Sequence, residues 1–331
     1  MNLEQNNKGW SNPFLRIGAA LFVFMLLQNV LQMAMGTLVK RFIPGFMESS
    51  WCQYIIIIIS TYVIGTPVAY MMIRSMPVTD TRKTEKKTLK WYTLPMLLAV
   101  CMTVMNLLGV VGMVINGLIG LLVGGTSLNP LASSIGGNGI IPTVITIGIL
   151  APIMEELLFR EAILERLRVY SDLTAIIVTS VFFGLLHGNI QQIIYTIPFG
   201  MILAYVKVKT NDIRYSVGLH MAVNLLGSVL IPNLSGSGNQ YLVMVAELIM
   251  IGCYMLGIIS VILGFTLKWV DFSKLSKGEI QLEHPVRAFF GNIGVILYIL
   301  LSILSCVSVV LTMMYGKSNS LAMAELLQGK S

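Results

Sequence analysis

Residues 140–167 read IIPTVITIGILAPIMEELLFREAILERL, and this stretch decides the fold. Residues 140–154 carry no charge, and the whole run exceeds the roughly 20 residues that a bilayer-spanning helix needs. Charged groups then follow inside the same run, beginning with Glu155, Glu156 and Arg160. Charges are costly in lipid, so groups placed there are functional candidates by default.

Outward from this stretch the pattern repeats. Nine apolar segments read as spans: Leu15–Val39, Trp51–Ile73, Trp91–Val123, Ile140–Leu167, Leu173–Asn189, Ile190–Val208, Ile213–Ile231, Tyr241–Leu267 and Phe289–Tyr315. Of the 331 residues, 56% are hydrophobic and 11% charged, against about 25% charged in a soluble domain. The expected fold class is therefore all-α: a polytopic transmembrane helical bundle of about eight to nine spans. The third span is long enough to tilt or to end in a re-entrant stretch. The fifth and sixth nearly touch, so a tight turn is expected around Gly188 and Asn189. The first span has too long an apolar core for a cleaved signal peptide and reads as a retained anchor. The chain is expected to form one membrane domain over 1–331, with a catalytic core block at 140–231. No repeat of 20–50 residues stands out.

The net charge of +7 invites a nucleic-acid reading, but the placement of the charges opposes it. Between the spans, 18 of the 22 basic residues fall on one side, beginning with Lys8 and Arg16 and crowding at Arg74–Lys90. Arg160, Arg166 and Arg168 are counted there, as are Lys207, Lys209 and Arg214. Only Lys40, Arg41, Lys317 and Lys330 face the other way. This is the positive-inside pattern. It predicts a cytoplasmic N-terminus, a lipid bilayer as partner and no nucleic acid. The loops Gly124–Gly139 and Pro232–Gln240 are Gly/Ser/Asn-rich turns on the opposite side. Cys52, Cys101, Cys253 and Cys306 lie in apolar segments, form no CxxC pair and read as packing residues.

The polar residues of the central block form three constellations. Glu156 and Arg160 stand i,i+4 and can pair, which leaves Glu155, about 100° around the helix, free to face elsewhere. An ion pair at a helix end accounts for Glu156 and Arg160 but not for Glu155. Pro152 removes a backbone donor nearby and favours a local opening. Phe183 stands four residues before His187, close enough to lie against its imidazole. His220 and Asn224, again i,i+4, share one helical face and can both donate to one point. Interhelical hydrogen bonding is the plainer account of that last pair. The third histidine, His284, sits in a charged loop and needs no explanation.

A carboxylate and an imidazole can together activate water, and a His/Asn pair can stabilise the oxyanion formed at an attacked carbonyl. Alternatively, Glu155, His187 and His220 could hold zinc with a water on the open position. The residues alone leave both open. A His-Glu-x-x-His zinc helix is absent.

At these positions the chain resembles the CPBP family, the type II CAAX-prenyl-protease and bacteriocin-processing (Abi) group of intramembrane endopeptidases. Its motifs Glu-Glu-x-x-x-Arg, Phe-x-x-x-His and His-x-x-x-Asn stand here as Glu155–Arg160, Phe183–His187 and His220–Asn224, in order. The resemblance implies a helical membrane protease with a cavity open towards the cytoplasm. It implies that Glu155 and His187 activate water, that His220 and Asn224 hold the oxyanion, and that Glu156, Arg160 and Phe183 support them. It favours a metal-free mechanism, with no cofactor, over the zinc-dependent one. The ninth span departs from the family's eight-helix core. The implied partner is a membrane-associated peptide or protein substrate. The short N-terminus and plain loops point to a bacterial plasma membrane, where relatives process small peptides rather than prenylated proteins. A non-catalytic scaffold or a transporter is the competing expectation, although no inverted repeat supports transport.

Overall fold

The computed structural model describes residues 12–76, 85–123, 139–266, 270–282 and 285–327. The 124–138 turn, Lys8, Arg82, Lys83, Lys268, Lys330 and His284 lie outside the described residues. Among those described there is no strand. The long helices are α1 (Pro13–Phe42), α2 (Cys52–Arg74), α3 (Thr93–Leu122), α4 (Ile140–Leu167), α5 (Asp172–Leu186), α6 (Ile190–Thr210), α7 (Ile213–Ser235), α8 (Gln240–Thr266) and α9 (Ile293–Leu327). All but α5 are long and apolar enough to cross a membrane, eight in number among the described residues. The chain is thus a multi-pass membrane bundle. The third span is one continuous helix as far as it is described, without a re-entrant break.

The fifth predicted span differs from its neighbours. At 15 residues, α5 is ~22 Å long, short of a hydrocarbon core of ~30 Å. It ends in the tight turn expected from the sequence. Gly188 takes a φ of +56°, which a side chain would strain. Asn189 is extended and caps α6, its Oδ1 accepting from the Gln191 amide at 2.9 Å. The turn is buried: a Cβ added at Gly188 would meet Ser305 of α9 and Met25 of α1. Both α1 and α3 run on well beyond it.

Ending a helix inside lipid leaves carbonyls without water, which costs several kcal/mol for each unsatisfied group. The turn's own amides serve the Gly184 and Leu185 carbonyls, and helix α9 adds further donors. Tyr298 donates to the Phe182 carbonyl at 2.6 Å, and Ser302 donates to that of Leu185 at 2.6 Å. The additional C-terminal helix therefore holds the end of α5 in place. It reaches this position by crossing α1 glycine to glycine, Gly18 against Gly294, where a Cβ on either would strike the other backbone.

Around this frame α6 packs on α5 and α3, α8 covers α3, and α7 lies against α4 and α6. The basic-side half of the bundle is densely filled, with Ile17, Leu21, Ile73, Leu158, Ile163 and Leu203 each at most 1% exposed. Beneath it the ends of α4, α5 and α6 are tied by buried ion pairs. Lys207 pairs with Glu165 and Glu161, and Arg168 pairs with Asp172 at 2.7 Å and Glu165 at 3.4 Å. Arg166 donates to the Arg74 carbonyl at the end of α2. In the α6–α7 turn, the hydrogen bond from the Arg214 guanidinium holds the Asp212 carboxyl below the usual carboxylate range.

Helices α2, α4 and α7 widen to i→i+5 turns at Ile58–Gly65, Val144–Leu150, Leu157–Leu164 and Leu225–Leu230. Such turns are rare and occur frequently at functional sites. Here they surround the central polar residues.

Candidate active site

A cavity of about 380 Å³ lies between α1, α2, α4 and the α5–α6 turn. Glu155 and His187, from separate constellations in the sequence, both line it. His187 caps α5, and its Nδ1 lies 3.0 Å from the Phe183 carbonyl four residues back. A carbonyl only accepts, so Nδ1 carries the proton and Nε2 keeps a lone pair. The Phe183 ring stands edge-on to the imidazole with centroids 5.1 Å apart, the contact expected from the spacing.

Behind the cavity wall is a buried relay. Glu156 Oε2 lies 3.3 Å from Arg160 Nε, and both side chains are fully buried. Glu156 Oε1 accepts from His220 Nδ1 at 3.0 Å. His220 Nε2 then points towards Glu155 Oε2 at 3.8 Å, within ion-pair range but longer than a hydrogen bond. Arg160 also donates to the Gly200 carbonyl at 3.2 Å and stacks its guanidinium over Phe183 at 4.7 Å. The predicted division between the two glutamates is therefore present. Glu156 is consumed by buried partners, whereas Glu155 keeps 19% of its side chain exposed. One expectation needs correction: Arg160 is no part of the loop-side charge excess. It sits inside the bundle, bonded to the middle of α6.

Asn224 does not line the cavity. Its Nδ2 donates to the Ile147 carbonyl of α4 at 2.9 Å. The reason lies in the wide turn before Pro152. There the Ala151 amide bonds to the Thr146 carbonyl, five residues back. The next amide in that register would serve Ile147, but Pro152 has none. Asn224 supplies the missing donor from α7. His220 likewise stands behind Glu155 rather than on the cavity wall.

Residues 137–226 match the family model described as type II CAAX prenyl endopeptidase, Rce1-like. All seven predicted site residues fall inside the matched segment. Over that segment the chain is similar to the type II CAAX prenyl endopeptidases. Neither the curated proteins nor the solved structures gave a match.

The zinc alternative can be set against this geometry. Among the described residues no three His, Cys, Asp or Glu side chains are grouped to hold a metal ion. His220 is engaged by Glu156, and His187 enters from a different helix end. Of the trio, His220 Nε2 and Glu155 Oε2 lie 3.8 Å apart.

The geometry also adds residues that sequence reasoning passed over. Thr146 and Tyr62 line the cavity with Gln28, Gln32 and Gln192. Thr146 Oγ1 is buried without a hydrogen-bond partner among the described residues. No signal marked these side chains. Single hydroxyls and amides in apolar helices usually satisfy themselves on their own backbone.

Proposed function

We propose that this protein is a CPBP-family endopeptidase that hydrolyses a peptide bond of a membrane-associated peptide or protein at the cavity lined by Glu155 and His187. The observation that carries this reading is their convergence. A carboxylate relieved of its neighbour's ion pair and an imidazole with its Nε2 lone pair free border one cavity. Glu155 takes the proton of the attacking water, which His187 Nε2 orients by accepting its other hydrogen, and then returns that proton to the leaving amine as the C–N bond breaks. The buried Arg160–Glu156–His220 relay fixes the far side of Glu155. No metal takes part in this proposal. Residues 140–231 form the catalytic core block, in a bacterial plasma membrane with the N-terminus in the cytoplasm.

His220 and Asn224 carry the oxyanion role by resemblance. A second reading has specific support: His220 hydrogen-bonds Glu156, and Asn224 replaces the donor lost at Pro152. In that reading both are positioning residues that set the shape of the Glu155 segment.

Cleavage of a fluorogenic membrane peptide is expected to fall by about two to four orders of magnitude in Glu155→Gln and in His187→Ala. Their thermal unfolding in detergent should stay close to that of the parent. Full activity in Glu155→Gln would move the chain to the scaffold or transport readings, which a liposome flux assay separates. Chelator treatment with elemental analysis is expected to leave activity unchanged. Loss of stoichiometric zinc together with activity would overturn the metal-free proposal.

A further inference from the structure

We infer that Tyr62 is a further catalytic residue, whose phenol donates a hydrogen bond to the carbonyl oxygen of the scissile peptide bond as that oxygen gains charge. This rests on reading the cavity as the hydrolytic site.

Depth along the helices carries the inference. Tyr62 stands 12 residues before Arg74, the basic-side end of α2. Glu155 stands 12 residues before Leu167, the basic-side end of α4. Each therefore lies ~18 Å in. The two ends are level, because Arg166 of α4 donates to the Arg74 carbonyl. His187 lies ~22 Å in from Asp172, where α5 begins on the same side. The lower half of α2 packs directly on α4. Above that contact the helices part around the cavity, with Tyr62 lining it from α2 and Glu155 from α4. The wide turn Ile58–Gly65 falls at this point of α2 and contains Tyr62.

The phenol is available there. Tyr62 is half-buried and makes no hydrogen bond among the described residues. It is close enough to Glu155 for the two to interact electrostatically. Neighbouring polar groups of the lining are engaged with one another. Gln32 donates to Thr61 Oγ1 at 3.3 Å, and Thr66 Oγ1 donates to the Thr61 carbonyl at 2.9 Å. His220 and Asn224 stand behind the wall, bonded to Glu156 and to the Ile147 carbonyl. Tyr62 thus supplies a donor on the wall itself, level with the base, whether or not those two also reach the oxyanion.

The chemistry asks for such a donor. When water adds to the scissile carbonyl, the new C–O bond forms as the π pair of the C=O bond moves onto oxygen. A donor already in place where that charge develops stabilises the transition state, and tyrosine is one of the side chains suited to the task. The phenol keeps its proton throughout. The C=O bond re-forms as the C–N bond breaks, and the amine takes its proton from Glu155.

The test uses the full chain in detergent and the fluorogenic membrane peptide. Tyr62→Phe is expected to lower kcat by about 10²–10³-fold, with KM and thermal unfolding close to those of the parent. Placing 3-fluorotyrosine at position 62 keeps the ring nearly the same size and makes the phenol a stronger donor. Measured on the acid side of the phenol's titration, kcat is then expected to rise. A phenol that only held the Glu155 carboxylate would weaken that base instead, and kcat would fall. Such a fall, or parent kcat in Tyr62→Phe, would overturn the inference. Glu155→Gln separates the two readings. Parent kcat in Tyr62→Phe beside an inactive Glu155→Gln removes Tyr62 alone, whereas full cleavage by Glu155→Gln removes the hydrolytic site and this inference with it.

Discussion

Asn224 shows how one side chain can be asked to do two things. Its amide satisfies the Ile147 carbonyl that Pro152 leaves open, so Asn224→Ala is expected to cost about 1–3 kcal/mol in detergent unfolding. Adding Pro152→Ala returns a backbone N–H to that register and should recover most of the loss. The double variant also separates the roles. If Asn224 only positions α4, cleavage recovers with stability; if it also binds the oxyanion, cleavage stays low. A double variant no more stable than Asn224→Ala would refute the backbone account. At this scale much of the site was legible. The i,i+4 spacing of Glu156 and Arg160 foretold their pairing, and that pairing singles out Glu155. The partner of Asn224 was not legible, because it depends on a wide turn and on the contact between α4 and α7.

At the level of elements, α5 is decided by its ending. The apolar run beginning at Leu173 reads as a span, but Gly188 and Asn189 stop it before it has crossed. Tyr298 and Ser302 add donors to the Phe182 and Leu185 carbonyls beside that ending. Tyr298→Phe removes one of these donors and is expected to destabilise the protein by about 1 kcal/mol. Because the Phe182–His187 turn loosens, kcat should fall while KM changes little. An equal rise in KM would indicate that α9 shapes the cavity rather than positioning His187. The tight turn could be read from the glycine and asparagine. The depth at which it sits could not, since depth is set by what covers the turn.

Across the whole molecule, α9 can reach α5 only because it crosses α1 without side chains between them. Gly18→Val drives a branched side chain into the Val295 backbone and is expected to cost about 1–3 kcal/mol. Gly36→Val, on the same helix with open space around it, serves as the matched control. Thermal unfolding of the two variants side by side tests the crossing. Equal melting points would mean that α9 does not depend on Gly18. The same crossing sets the lateral wall of the bundle. The shortened α5–α6 hairpin supplies Leu186, His187 and Gln192 to the cavity lining.

Hydropathy, which belongs to the chain itself, determined that this protein is a helical membrane bundle and roughly where its spans lie. Side-chain spacing within single helices added the Glu156–Arg160 pair and the Phe183–His187 contact, because such neighbours are close in any helix. Only the tertiary structure decided that Glu155 and His187 share a cavity and that His220 bridges towards both glutamates. Those relations join helices distant in sequence. They follow from where each helix stops, widens or crosses another, and from the need to satisfy every buried polar group without water.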